Sequence, residues 1–390
     1  MSGDGFPRTL FVIDNLTVSG AEKAALNLLR HAQARGLPAE GFVYMDDLIG
    51  VEHSGARLQA FPGKMDERFS RRVLTAAGRV PALHRAARNF DLLVPVTPPV
   101  IPWAMAAAVD TRARVVPWIH YDFEGIALDR FSSGRLMRDS LMNLLHTRLA
   151  PSFDRLLFAS RGALESFARA KGGAKRHWDW VPNVYDRTAW KDTESSTAAA
   201  LEECRRRGKA ALLFAGRISR QKQWEEAVRV AEILYERGFP FELHFAGDGP
   251  EMEQLRQLVR NSPASEAIVL HGFDLNLMAA LRNADVLLLT SLHEAWPTII
   301  LEAFDLGIPV LSYDCPSGPA EMLGRELERG VLCQNAPEMA DRIQWLLDPQ
   351  QEPVRARMQQ EGRAFLEQHL PEHSIERWAR ALRAMMEDES

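Results

Sequence analysis

Arg217 and Lys222 stand five residues apart in the stretch Ala215-Gly216-Arg217-Ile218-Ser219-Arg220-Gln221-Lys222, which follows an apolar run and opens an amphipathic one. On a strand-to-helix loop both side chains can turn toward the crevice above the carboxyl ends of parallel strands, where doubly wound sheets take their ligands. Two cations there suit a diphosphate; for this segment alone, solvated loop charge is the ordinary alternative. A second stretch, His293-Glu294-Ala295-Trp296-Pro297-Thr298-Ile299-Ile300-Leu301-Glu302-Ala303, follows another apolar run. Pro297 is suited to the first position of a helix, which leaves the N–H groups of Thr298 and Ile299 open to anionic oxygens. Glu294 before that helix and Glu302 on it are acceptors for hydroxyl donors such as those of a sugar. Their spacing says little; their place above a sheet says more. A third stretch, Ser19-Gly20-Ala21-Glu22, reads as a capping box at a helix start. Gly20, lacking a Cβ, would also let an anionic ligand approach the helix N-terminus.

Parallel strands must hold these loops. Short apolar runs at 9–13, 41–45, 91–96, 114–119 and 155–160 each precede a helix-like segment, a βαβ rhythm. The rhythm pauses at the polar stretch 181–197, with a turn signal at Pro182-Asn183. It resumes with runs at 210–215, 241–246, 267–270, 285–290 and 309–313. The expected architecture is α/β with two successive Rossmann-like, doubly wound parallel-sheet domains, residues 1–183 and 184–370. A last amphipathic helix within 371–390 carries Ile375, Trp378, Ala379, Leu382 and Met385 at helical spacing and is expected to pack back on the first domain.

The 390 residues, 46% hydrophobic and 25% charged, suit a well-packed chain and exclude disorder, collagen and coiled coil. Net charge is −5, but residues 1–183 carry +6 and residues 184–390 carry −11, so the halves are expected to meet different partners, with no general attraction to nucleic acid. Cys204, Cys315 and Cys333 are scattered, without the close spacing of a zinc motif or disulfide framework, and a cytoplasmic setting is expected. No apolar run nears the ~18 residues of a membrane span, and the first run stops at Asp14, too short for a secretory signal. Walker loops, nucleophile elbows and zinc-protease helices are absent. The cations Arg205, Arg206, Arg207 and Lys209 flank Gly208 at a helix end, where they offset the dipole.

Five features occur in order: Ser19-Gly20-Ala21-Glu22, Gly216-Arg217 with Lys222, Gly247-Asp248-Gly249-Pro250, Gly272-Phe273, and Glu294 with Glu302 before Gly307-Ile308-Pro309-Val310. Together they resemble the retaining GT-B glycosyltransferases of family four, strongly over 210–322 and more thinly over 1–183. The stretch Asp314-Cys315-Pro316-Ser317-Gly318-Pro319-Ala320-Glu321 is similar to a bacterial subgroup that builds lipid-linked or surface glycans, lipopolysaccharide among them, commonly from UDP-sugars. The resemblance implies a hexosyl- or N-acetylhexosaminyl-transferase with two domains facing across a cleft. It places Arg217 and Lys222 on the donor diphosphate, with Gly20, Gly216, Gly249, Phe273, Thr298 and Ile299 in the donor site. Glu302 falls on the ribose, and Glu294 beside the transferred sugar. His120 resembles the family histidine near sugar and acceptor, though a lone histidine after an apolar strand is more often structural. Val181-Pro182-Asn183 resembles the interdomain hinge. Ser19 replaces the family's first glycine, and Trp296 and Pro297 stiffen the loop between the glutamates.

With these cations and no Asp-x-Asp cluster, the reaction is expected to need no metal. Residues 61–90 carry Lys64, Arg68, Arg71, Arg72, Arg79, Arg85 and Arg88 against Asp66 and Glu67, interleaved with Phe61, Phe69, Val73, Leu74 and Leu83. This segment is either a helix lying on an anionic membrane that holds a lipid-linked acceptor, or a solvated basic helix on the core. Another GT-B enzyme, such as a sugar-nucleotide epimerase, and a catalytically silent sugar-nucleotide-binding module are the alternative functions.

Overall fold

The computed structural model describes residues 6–14, 20–44, 55–60, 69–123, 153–189, 194–274 and 276–387. They form two compact units, one of residues 6–123, 153–186 and 369–387, the other of residues 187–368.

In the first unit, β1 (Thr9–Ile13), β2 (Ala39–Val43), β3 (Leu58–Ala60), β4 (Leu92–Pro95) and β5 (Arg114–Val115) form a parallel sheet in the order β3-β2-β1-β4-β5. The next strands, β6 (Trp118–Ile119), β7 (Arg155–Phe158) and β8 (His177–Trp180), make a second parallel sheet. The run 114–119, expected as one strand, is therefore two strands in two sheets. Pro117 lies between them, and a residue without an N–H cannot donate to a ladder. Its carbonyl still accepts from Leu157 N at 2.9 Å, while Val116 N donates to Leu93 O at 2.8 Å. Helix α1 (Gly20–Ala34) covers one face of the larger sheet; α2 (Phe69–Ala87) and α3 (Ile101–Ala108) cover the other.

The basic segment 61–90 divides. Residues 61–68 and the side chains of 69–74 lie outside the described residues. Arg79 departs from the expected solvated or membrane-facing basic side chains: it is buried and donates to the Tyr44 carbonyl. Leu83 beside it is in the core, and Arg85 and Arg88 are exposed. The hydrogen bond lets a guanidinium sit where the helix spacing puts an inward position.

The second unit opens with α5 (Ser196–Arg206), after α4 (Arg161–Lys171) has closed the βα series of the first. Ser195 caps α5 by accepting from Ala198 N at 3.0 Å. Then come β9 (Ala210–Ala215), α6 (Trp224–Glu236), β10 (Phe241–Ala246), α7 (Met252–Asn261), β11 (Ile268–Gly272), α8 (Leu277–Asn283), β12 (Val286–Leu289), α9 (Thr298–Leu306), β13 (Val310–Tyr313), α10 (Pro319–Leu323), β14 (Val331–Cys333), α11 (Ala336–Leu347) and α12 (Glu352–Glu367). All six strands are parallel, in the order β11-β10-β9-β12-β13-β14. This is the doubly wound order, and the sheet reverses direction between β9 and β12. The strands missing from the sequence expectation, β3, β8 and β14, are at sheet edges and only three or four residues long.

The chain returns to the first unit as α13 (Pro371–Ala384). Its Ile375, Trp378, Ala379 and Leu382 are buried with Phe11, Leu28, Trp118 and Val184. Trp378 meets Trp118 edge-on at 4.5 Å between ring centroids and Phe11 at 6.0 Å. Removing so large a side chain leaves a cavity that the sheet cannot close. Trp378→Ala is expected to destabilise the first unit by ~3 to 5 kcal/mol in urea unfolding; a loss under ~1 kcal/mol would show that the helix contributes nothing to that core.

Candidate functional site

The loops that carry the second unit's charged residues leave the carboxyl ends of β9 and β12, the two strands flanking the reversal. Side chains and backbone join them. Lys222, on a 3₁₀ turn after β9, forms an ion pair with Glu294. Ser291 Oγ donates to the same carboxylate oxygen, Oε1, at 2.7 Å, and Ser317 Oγ donates to the Glu294 carbonyl at 2.6 Å. Gln221 Nε2 donates to His293 O at 3.0 Å, and Leu292 N to Gln221 O at 2.8 Å. The Thr290 hydroxyl reaches the carbonyls of Lys222 and Gln223, each at 2.9 Å. These contacts hold Gln223 at φ +41°, a left-handed conformation that a residue with a Cβ adopts only under constraint.

A third loop, after β10, presses on the first. A Cβ on Gly247 would lie 1.8 Å from the Gly216 carbonyl oxygen, and one on Gly249 would lie 2.2 Å from that of Ile218. Only glycine permits this approach, across which Ile218 N donates to Asp248 O at 3.0 Å. Arg217, between the two contact points, is exposed and in no ion pair among the described residues. The result is one exposed guanidinium and one ammonium, the latter seated on a buried carboxylate.

Pro297 is the residue before α9 and not its first residue: it has φ −69° and ψ 101°, extended backbone, and the helix begins at Thr298. The fixed φ suits both positions; ψ decides between them. Ile300 N donates to Pro297 O at 3.0 Å, whereas the N–H groups of Thr298 and Ile299 have no acceptor among the described residues. Trp296 is buried, its ring 6.3 Å from that of Phe365 on α12, which fixes the segment between Glu294 and the helix. Cys315, buried nearby, has its thiol pKa pushed up, first by burial and then by the Glu294 carboxylate, and stays neutral.

Residues 202–365 match the family described as glycosyl transferases group 1. The matched residues make up less than half of the chain. The 2-deoxystreptamine glucosyltransferase of Streptomyces kanamyceticus is 31% identical over 150 residues, 36% of this chain and 38% of that protein. The lipopolysaccharide 1,6-galactosyltransferase of Salmonella typhimurium is 31% identical over 121 residues, 29% of this chain and 33% of its own. The alignments thus span about a third of the length of these curated relatives. Among solved structures, Anabaena HepE in complex with UDP and glucose superposes with a TM-score of 0.75 at 19% identity, over 96% of this chain and 99% of its own. The sucrose-phosphate synthase of Thermosynechococcus elongatus gives 0.75 at 17% identity over 97% and 99%. The fold is GT-B, two domains built on parallel sheets.

Within the matched residues, Glu302 is buried on α9, one turn beyond the open N–H groups. Phe273 is 58% exposed, presented by Gly272 at φ +74°. Sequence reasoning missed Thr290, Ser291, Gln221 and Ser317, which hold the charged residues in place. The hydroxyl pair Thr290-Ser291 ending an apolar strand was their only local signal.

Two expected site residues belong to the first unit. His120 follows β6, its ring 4.0 Å from that of Trp118, and its Nε2 has no hydrogen-bond partner among the described residues. Burial pushes its pKa down to about 3, so the imidazole is neutral near pH 7. Gly20 is the first residue of α1; Ser19, the other half of the expected capping box, lies outside the described residues. Glu22 is buried, its Oε2 without a partner among the described residues. Burial, with a smaller contribution from the Asp14 carboxylate, raises its pKa from 4.5 to about 7. The folded chain therefore holds a proton that the unfolded chain releases near pH 4.5. The associated stability is complete below pH 4.5 and is lost as pH rises through about 7, a fall of up to ~3 kcal/mol. Chemical unfolding at pH 5 and pH 8 should show this decline in the native protein and its absence in Glu22→Gln. Identical pH dependence in the two would exclude Glu22 as its source.

Proposed function

We propose that the protein is a retaining glycosyltransferase that moves a sugar from a nucleoside-diphosphate sugar, UDP-sugar in the first instance, to a glycan or lipid-linked acceptor in surface polysaccharide synthesis. The observation that carries this reading is the Arg217 and Lys222 pair beside Glu294 and the open start of α9, all at the carboxyl ends of the strands where a group 1 domain reverses its sheet. HepE solved with UDP and glucose, and the lipopolysaccharide galactosyltransferases among the relatives, support the donor and acceptor classes.

Charge gathers on the diphosphate as the anomeric C–O bond breaks, and fixed cations aimed there lower the barrier. Lys222 has three N–H donors; Glu294 engages the ammonium and leaves others for phosphate oxygens. Arg217 and the N–H groups of Thr298 and Ile299 add charge-assisted contacts. Held by Lys222 and Ser291, Glu294 orients the transferred sugar. Glu302 binds the ribose, and Phe273 offers a face for the base. The acceptor oxygen attacks from the face the diphosphate leaves, forming the new C–O bond while its proton passes to a diphosphate oxygen. His120, neutral and a poor base, hydrogen-bonds to sugar or acceptor without taking the proton. No metal is required.

Arg217→Ala is expected to weaken nucleotide binding by ~1.5 to 3 kcal/mol with the fold intact; Lys222→Ala should weaken it by as much and also lower stability, because the buried Glu294 carboxylate loses its partner. Glu302→Gln should raise the donor dissociation constant, and Glu294→Gln should lose transfer while nucleotide binding is nearly kept. Thermal shift against UDP, GDP and ADP reads the first effects, and product formation after EDTA treatment reads the last. Unchanged donor affinity in both cation variants, or activity abolished by EDTA and restored by a divalent ion, would refute the assignment.

A membrane-held acceptor is supported by the exposed Arg85 on α2 and Arg88 in the turn that follows it; no helix among the described residues is long and apolar enough to cross a membrane. Sedimentation with anionic vesicles should show binding at low salt that is lost at ~0.5 M salt and reduced by Arg85→Glu with Arg88→Glu. Binding indifferent to both would favour a soluble acceptor.

A further inference from the structure

The second unit holds a cluster that glycosyl transfer does not use. Cys204 on α5, and Glu242 and His244 on β10, place a sulfur, a carboxylate oxygen and an imidazole nitrogen within 4.8 Å of one another. Glu242 and His244 alternate along the strand and so share the face that α5 covers. Glu242 is near the amino end of β10, whereas the charged loops leave the carboxyl ends of the sheet.

We propose that Cys204, Glu242 and His244 form a buried three-ligand site for a divalent ion of the zinc class. The Nε2 of His244 and the Oε2 of Glu242 are 3.6 Å apart, close to the ~3.4 Å edge of a tetrahedron with metal-to-ligand distances of ~2.1 Å. His244 is fully buried, and its Nε2 has no hydrogen-bond partner among the described residues. Its other nitrogen is held: Nδ1 lies 2.9 Å from Nε2 of His271, whose ring stacks on it at 5.2 Å. With the proton on Nδ1 donated to His271, the Nε2 lone pair faces the cluster, the tautomer and orientation that a metal requires. Burial, followed by His271, pushes the His244 pKa down to about 4, so this ring is neutral near pH 7. Cys204 makes only weak contacts, to Lys209 O at 3.7 Å and Ala210 O at 3.6 Å. Its thiol pKa is pushed up to about 11, by burial first and the Glu242 carboxylate second.

Metal capture then follows a defined balance: the ion bonds to sulfur, the S–H bond breaks, and one proton leaves to solvent. Two cations oppose it. Arg207 Nη2 donates to Glu242 Oε2 at 2.9 Å and Lys209 Nζ to Oε1 at 3.0 Å, so a metal must share the carboxylate with both. A mixed S, N and O set favours zinc, and cobalt as its spectroscopic substitute, over magnesium or calcium.

The test is Co²⁺ titration of the EDTA-stripped full chain in a phosphine reductant. The expected result is saturation at ~1 ion per chain with a thiolate-to-cobalt band in the near ultraviolet, displacement by Zn²⁺, and release of ~1 proton. Zinc should also slow alkylation of Cys204, mapped by mass spectrometry. Cys204→Ser should lose the sulfur band. Arg207→Gln with Lys209→Gln keeps all three ligands and should bind Zn²⁺ at least ~10-fold more tightly by removing the competing charge. Absence of a sulfur band in the native protein overturns the site, as does a band unchanged in Cys204→Ser or zinc affinity unchanged in the double variant. Because donor chemistry is proposed to be metal-free, stripping this site should leave turnover intact, so the two assignments fail separately.

Discussion

The Lys222 to Glu294 ion pair, at the point where the sheet reverses, is the contact on which the candidate site depends. Loops on either side of a reversal diverge toward opposite faces of the sheet, and here one backbone hydrogen bond, Leu292 N to Gln221 O, links them directly. The ion pair adds a second tie, and Ser291, Gln221 and Thr290 fix its geometry with hydrogen bonds, the first of them to the carboxylate itself. Glu294 is buried, so its partner cannot be removed without leaving a carboxylate short of compensation. The same pair thus holds the loops and sets cation and acceptor side by side.

The close backbone approach of Gly247 and Gly249 to Gly216 and Ile218 supplies the second support. It presses the third loop under the cation-bearing one and leaves Arg217 exposed above it. Side chains at either glycine would push the loops apart. The left-handed Gln223, held by Thr290, shows that the arrangement is constrained from both directions. Such preorganisation lets fixed charges act without reorganising when charge develops on a substrate.

In the first unit the governing condition is burial. Arg79 reaches a backbone carbonyl from inside the core, His120 is kept neutral against Trp118, and Glu22 retains a proton well above the usual carboxyl range. Helix α13 returns after the whole second unit to complete the core beside α1, so the ends of the chain are interdependent for stability.

The βαβ rhythm was legible because strand and helix periodicities are local properties of apolar spacing, and so were the loops bearing Arg217, Lys222 and Glu294 and the helix start that carries Glu302. The three- and four-residue edge strands β3, β8 and β14 were not, since a short segment carries too little periodicity and is defined by the neighbour it pairs with. Nor was the division of 114–119 at Pro117: its local composition suits one strand, and the ladder partners on either side decide otherwise. A basic residue at helical spacing gives no sign of facing inward, as Arg79 does. Cys204, Glu242 and His244 come together only because α5 lies over β10. By itself the sequence determined which residues could carry charge and where the longer strands and helices would form; tertiary packing decided the short edge strands, which charges meet, which are buried, and which protonation states they keep.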